Sequence, residues 1–114
     1  MLNDNFTLMQ DVNRNTMGLV CNKMLSGKTD VPAAGTAVKL LPPGQKSMII
    51  IIKCPAANTG VLYVGDSNVS STNGITLETT GEQLILYLDN YQSPVYVDVG
   101  TNGDDAEWII LWSE

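Results

Sequence analysis

Four consecutive isoleucines occupy the middle of the most strand-like segment of this chain, residues 47–54. Successive side chains of a strand point to opposite faces of its sheet. Ile49 and Ile51 therefore point one way, and Ile50 and Ile52 point the other. In an antiparallel sheet with one face in water, apolar and polar residues would alternate instead. Both faces of this strand need cover, and the second face is covered either by the chain's own arm or loop or by a second subunit.

The rest of the chain alternates short apolar segments with turn signals. Residues 24–35 are predicted to be loop because they contain Ser-Gly-Lys and Val-Pro-Ala-Ala-Gly. Pro42-Pro43-Gly44 predicts a turn. Asn102-Gly103 predicts a longer hairpin loop joining the last two strands. Besides 47–54, strands are predicted over residues 16–21, 36–41, 61–64, 75–77, 83–88, 95–99 and 107–112.

This pattern of seven to eight short strands without a convincing helix predicts an all-β fold, an antiparallel β-sandwich or barrel. The strand order cannot be read from it. Residues 16–114 are predicted to form a single β-sandwich domain. Residues 1–15 are predicted to form an N-terminal arm that either docks on a neighbouring subunit through Phe6, Leu8 and Met9 or ends the chain as a frayed terminus.

Charge and hydropathy argue against several classes of function. A net charge of −6 with no histidine opposes binding to nucleic acid or to an anionic membrane. The longest apolar run, residues 48–52, is far shorter than the ~20 residues that cross a bilayer. The start of the sequence has no basic segment followed by an apolar one, so we expect synthesis in a cytoplasm. Cys21 and Cys54 are then expected to be free thiols, and a disulfide between them is the alternative.

No residue pattern predicts catalysis, and neither an enzyme nor a cofactor is expected. Histidine is absent, so the usual general base is missing. Asp98, Asp104, Asp105 and Glu107 cluster around the predicted hairpin, where a glycosidase carboxylate pair or a calcium site is the alternative to acids that simply face water. In the strand over residues 95–99, Asp98 is expected on a face in water.

One run carries a resemblance to a known family. It contains Tyr63-Val64-Gly65, a polar loop, Asn73-Gly74-Ile75-x-Leu77, then Gly81-Glu82 and an apolar strand over residues 84–88. This run resembles a β-sandwich module of small virion proteins of tailed bacteriophages, among them the capsid decoration (cement) proteins. The proline that usually precedes the Gly-Glu turn is missing here. The resemblance implies a jelly-roll-like sandwich, which the strand count permits.

The resemblance also implies a function. Such a protein sits on the capsid exterior of a virion assembled in a bacterial host cytoplasm, binds the major capsid protein, and forms a homo-oligomer, by family analogy a trimer. The residues expected to contact partners are those of the arm and of the isoleucine strand: Phe6, Leu8, Met9, Ile50 and Ile52. The alternative is a receptor- or glycan-binding module of a head fibre or tail, with exposed aromatic residues such as Tyr91 and Tyr96.

Overall fold

Eight strands without a helix make up the part of the chain that the computed structural model describes, which is residues 21–90 and 94–114, with only the backbone of Asp89 and Asn90. The strands are β1 (Lys23–Asp30), β2 (Val38–Lys39), β3 (Ser47–Lys53), β4 (Leu62–Gly65), β5 (Ile75–Leu77), β6 (Gln83–Asn90), β7 (Tyr96–Val99) and β8 (Asp105–Trp112). The predicted arm, residues 1–15, lies outside the described residues.

The strands form two four-stranded antiparallel sheets. Sheet A has the order β1-β8-β3-β6, and sheet B has the order β2-β7-β4-β5. The prediction of an all-β fold of two antiparallel layers is confirmed. The strand predicted over residues 47–54 is confirmed almost residue for residue as β3.

Strand pairing is nested along the chain. The first strand pairs with the eighth, the second with the seventh, the third with the sixth and the fourth with the fifth. Two further pairings, β3 with β8 and β4 with β7, join these pairs side by side into the two sheets. The chain therefore follows the course of one long antiparallel hairpin that has been rolled up on itself.

The core lies between the sheets. Alternate residues of each strand point inward, and the buried set is mostly aliphatic with one tryptophan, as suits a pleated surface. Sheet A contributes Ile50, Ile52, Ala106, Trp108 and Ile110; sheet B contributes Leu62, Val64, Leu77, Val97 and Val99. Burying one such leucine, isoleucine or valine side chain contributes about 1.5–3 kcal/mol. These buried side chains fix the position of sheet A and therefore of the side chains on its opposite, outer face.

The first described strand corrects the loop predicted for residues 24–35. β1 pairs with β8 over all eight of its residues, from Lys23 with Trp112 to Asp30 with Asp105. Gly27 lies opposite Trp108 in this register, and the indole covers the space that a side chain would fill. The local turn signal is therefore overridden by long-range pairing. Residues 16–20 of the strand predicted over 16–21 lie outside the described residues.

The hairpin predicted around Asn102 and Gly103 was wrong. β7 belongs to sheet B and β8 to sheet A, so residues 100–104 carry the chain from one sheet to the other. The loop is a turn in which Gly103 takes a φ of 85° and donates its N–H to the Val31 carbonyl at 2.9 Å. Asn102-Gly103 does form a turn with a positive φ, but this turn connects the two sheets and does not close a hairpin.

Candidate protein-binding face

The outer face of sheet A carries three regular rows of side chains, because the registers of its four strands align the same residues across the sheet. The first row is Met24, Leu111, Ile49 and Tyr87. The second row is Ser26, Ile109, Ile51 and Ile85. The third row is Lys28, Glu107, Lys53 and Gln83. Seven of the eight residues in the first two rows are apolar or aromatic.

These two rows are open to solvent in the described part of the chain. On the outer strands Met24 is 65% exposed, Tyr87 65% and Ile85 45%. The residues on the two middle strands are half-buried, since each has neighbours on both sides. A contiguous apolar patch rimmed by polar residues is typical of a surface that binds a protein. This patch is the candidate functional site.

The third row forms a charged border. Lys28 Nζ lies 4.0 Å from Glu107 Oε2, and Lys53 lies opposite Glu107 on the neighbouring strand. A shallow cavity of about 540 Å³ runs along the boundary between the second and third rows and is lined by Ser26, Ile51 and Ile109 among others. The face therefore changes from apolar to charged over the distance of one residue pair.

The structure corrects the side of β3 that we assigned to partner contact. Ile50 and Ile52 are both 0% exposed and form part of the core between the sheets, so their side chains offer no surface to a partner. Ile49 and Ile51 point outward instead. The other predicted contact residues, Phe6, Leu8 and Met9, lie outside the described residues.

Three strands besides β3 supply the face, and none of their residues was predicted to contact a partner. The sequence signal was present, because β6 and β8 are also apolar on both sides. Ile85 and Tyr87 alternate with partly buried leucines that pack against the core, and Ile109 and Leu111 alternate with the core residues Trp108 and Ile110. Strands that are apolar on both sides and lie side by side leave one apolar face outside the sandwich.

Two carboxylates face each other at the end of this sheet. Asp30 lies directly opposite Asp105 in the register of β1 and β8. Loss of hydration raises the pKa of the Asp105 carboxyl, the negative charge of Asp30 raises it further, and the Lys28 ammonium partly opposes the shift. Like charges directly opposite on neighbouring strands destabilise a sheet.

Two other acidic residues are buried, against the expectation that these acids face water. The Asp98 side chain is 1% exposed, and its Oδ1 accepts the Gly35 N–H at 2.9 Å and the Val99 N–H at 2.8 Å. The Asp104 carboxylate accepts the N–H groups of Thr59 and Gly60 at 2.9–3.1 Å. Both acids fasten loops onto the sandwich, which is a structural use of a carboxylate.

Asn58 and Cys54 complete this fastening. The Asn58 side chain donates to the Asp105 carbonyl at 2.8 Å and accepts the Asp105 N–H at 2.9 Å, as a paired strand would. Its amide also lies 3.5 Å from Cys54 Sγ. Burial raises the pKa of the Cys54 thiol, and the hydrogen bond from Asn58 opposes that rise. Cys21 and Cys54 are free, as predicted.

The aromatic residues divide between the two sheets. Tyr87 lies on the outer face of sheet A. Tyr63 lines a smaller cleft of about 330 Å³ on sheet B, with Asp98, Ser70 and Ser71 among its other lining residues. Tyr96 is half-buried, and Tyr91 lies outside the described residues. Tyr87 is therefore the aromatic side chain that joins the apolar face.

Among residues 21–90 and 94–114, no group of three or more acidic or cysteine side chains is placed to hold a metal ion. The same residues include no helix with the length and hydropathy needed to span a membrane. Comparisons with family models, with curated proteins and with solved structures find no match for this chain.

Proposed function

We propose that this chain is a structural virion protein of a tailed bacteriophage, a capsid decoration protein that binds the outer surface of the shell and stabilises contacts between major capsid protein subunits. The observation that carries the proposal is the outer face of sheet A. Among the residues that the structure describes, two rows of apolar side chains lie open to solvent, and such a face gains stability when another protein surface covers it. The exposed apolar face therefore supports a function that depends on binding another protein.

The course of the chain also supports this proposal. We propose that the sandwich is a jelly roll, since its eight strands pair in the nested order that rolling up a single long hairpin produces. Eight-stranded double-sheet jelly rolls occur in viral capsid proteins and in lectins. This fold alone therefore leaves both the decoration protein and the glycan-binding module open, and the apolar face favours the former.

The run that resembles phage virion proteins has a physical role in this fold. Tyr63-Val64-Gly65 ends β4, and Asn73-Gly74 leads into β5. Gly74 has a φ of 127°, and a β-carbon there would lie 2.7 Å from the Val64 carbonyl oxygen. The glycine is required where the two strands meet. The resemblance therefore rests on residues that shape the sandwich.

The mechanism that we propose is thermodynamic linkage. A ligand that binds only the assembled shell stabilises it in proportion to the logarithm of its concentration over its Kd. A rigid sandwich that straddles a subunit junction meets this condition, because its full binding surface exists only where two subunits adjoin. Several linked copies would add avidity without any new kind of contact. We propose the capsid exterior as its location, after synthesis in the bacterial cytoplasm.

The test is co-sedimentation of the purified full chain with expanded empty capsids that lack it. We expect saturable, stoichiometric binding and a higher melting temperature of the capsid. The variant with alanine at Phe6, Leu8 and Met9 tests the predicted arm, and the variant with alanine at Asn3, Asn5 and Asn13 is its matched control. A protein that ignores capsids but binds bacterial cells or their surface glycans would overturn the proposal in favour of a receptor-binding module.

A further inference from the structure

We infer that a second copy of this chain covers the outer face of sheet A. A two-fold axis relates the two copies; it lies between their outer faces, parallel to the strands and above the boundary between β8 and β3. This inference shares with the proposed function only the premise that the face is a protein contact. If two copies cover this face, binding to the shell falls to the predicted arm, residues 1–15, and to the remaining surface, so the two proposals are tested separately.

The order of strands in sheet A makes this arrangement self-complementary. A two-fold axis between the two middle strands exchanges β8 with β3 and β1 with β6, and each row of side chains then faces its own copy. In the first row, Leu111 faces Ile49 of the second copy. In the second row, Ile109 faces Ile51 of the second copy. The half-buried middle residues therefore meet at the axis, where a contact excludes water best.

The sizes of the facing residues at the outer strands also match. Ser26 is the one small residue of the first two rows, and the axis places it opposite Ile85 of the second copy. The shallow cavity beside Ser26 gives this isoleucine a place to enter. Met24, a flexible side chain, lies opposite Tyr87 of the second copy, which suits the favourable contact between a thioether and an aromatic ring.

The charges of the third row favour association of two copies through this face. Two chains that each carry a net charge of −6 repel one another at long range. In the third row, however, the axis places Glu107 opposite Lys53 of the second copy, and Lys28 opposite the neutral Gln83. The pair of Glu107 and Lys53 forms twice in a dimer. The charged border thus joins two copies with opposite charges facing each other.

The area sets the strength of the contact. Four strands about 4.8 Å apart and three rows about 6.8 Å apart cover about 400 Å². Two copies would bury about 800 Å², which is below the roughly 1,000 Å² of a stable specific interface and in the range of weak, transient contacts. We therefore expect a dimer that dissociates on dilution. A self-complementary face gives a two-fold dimer, whereas a three-fold trimer needs two different surfaces.

The first experiment is sedimentation equilibrium of the full chain over a range of concentrations. We expect a reversible shift from 12.3 kDa to twice that mass. Ile109→Lys places a charge at the axis and should raise the dimer Kd by at least about tenfold, the equivalent of 1.4 kcal/mol. Ile75→Lys is the matched control, because Ile75 is 53% exposed on sheet B and should leave the mass unchanged.

The second experiment separates contacts between copies from contacts within one chain. Lys53→Glu and Glu107→Lys should each abolish the dimer, since like charges would then face each other across the axis. An equimolar mixture of the two variants should restore a dimer, because Glu107 of one chain meets Lys53 of the other and the two substituted residues also form an opposite pair. If both variants stay folded and their mixture stays monomeric, the proposed axis is wrong.

The outcomes keep the two proposals apart. A monomer at every concentration overturns the dimer, and if Ile109→Lys then abolishes capsid binding, the face belongs to the shell and the proposed function stands. A trimer overturns the two-fold arrangement as well. A dimer sensitive to Ile109→Lys that does not bind capsids supports the inference and overturns the function.

Discussion

The Trp108 indole lies over Gly27 of the neighbouring strand, where a β-carbon would come within 2.6 Å of the ring carbon Cζ2. The indole N–H donates to Thr29 Oγ1 at 3.0 Å, and this bond helps to fix the position of the ring. Trp108 is buried and packs in the core between the sheets. The absence of a side chain at Gly27 therefore lets the largest side chain of the core pack closely against β1, the edge strand of sheet A.

Gly27→Ala should lower the free energy of unfolding by about 1–3 kcal/mol, the usual cost of forcing an extra carbon into a packed core. Urea unfolding followed by tryptophan fluorescence measures the change. Gly100→Ala is the control, because its β-carbon would meet other atoms only at 3.7 Å or more. Equal stability of the Gly27 variant and the wild type would show that the indole moves freely.

Asn58→Ala should lower the free energy of unfolding by about 2–4 kcal/mol, because it leaves the N–H and carbonyl of Asp105 without their partner at a part-buried position. Thermal and urea unfolding measure the loss. Exposed Asn68→Ala is the control and should change stability by less than about 0.5 kcal/mol. A small effect at Asn58 would mean that water replaces its side chain.

Asp105→Asn should stabilise the protein at neutral pH by about 0.5 kcal/mol, within the range for cross-strand pairs. The folded pKa of Asp105 lies above its ordinary value of 3.8, so the folded state holds this proton more tightly than the unfolded chain does. The contribution of this group to stability is full below pH 3.8 and is lost as the pH rises through the folded pKa. The gain of the variant should therefore vanish in acid.

Asp30→Asn tests the same repulsion from the other strand. Either substitution removes the like-charge pair, so the double variant should gain less than the sum of the two single variants. The melting temperatures of the wild type, the two single variants and the double variant, measured at pH values below and above the folded pKa of Asp105, give the comparison. Strict additivity at neutral pH would show that the two carboxylates do not interact.

The Cys54 thiol should resist modification in the folded protein, because it is buried and its pKa is raised, and only the thiolate reacts. In the Cys21→Ser variant, labelling by a disulfide reagent should be slow and should accelerate in urea as the protein unfolds. The Cys54→Ser variant reports the half-buried Cys21 separately. Rapid labelling of Cys54 in the native protein would contradict the packing described around it.

Much of the local structure was predictable, since it depends on neighbours in the chain. The turn at Pro42-Pro43-Gly44 forms as predicted, with Gly44 at a φ of 76°. The alternation along β3 and β8 correctly separated two sets of side chains. What could not be predicted is which set faces the core, because Ile49 and Ile50 are chemically identical and only the packing of sheet B distinguishes them.

The amino-acid sequence by itself determined that this chain forms short strands and that several of them are apolar on both sides. Side-chain periodicity and turn chemistry are local, so they can be read in order along the chain. Only the tertiary structure decided that residues 23–30 form a strand, that the last two strands belong to different sheets, and that Asp98 and Asp104 are buried. Each of these depends on a partner far away in the chain, and the pairing and burial gained there outweigh the local preference.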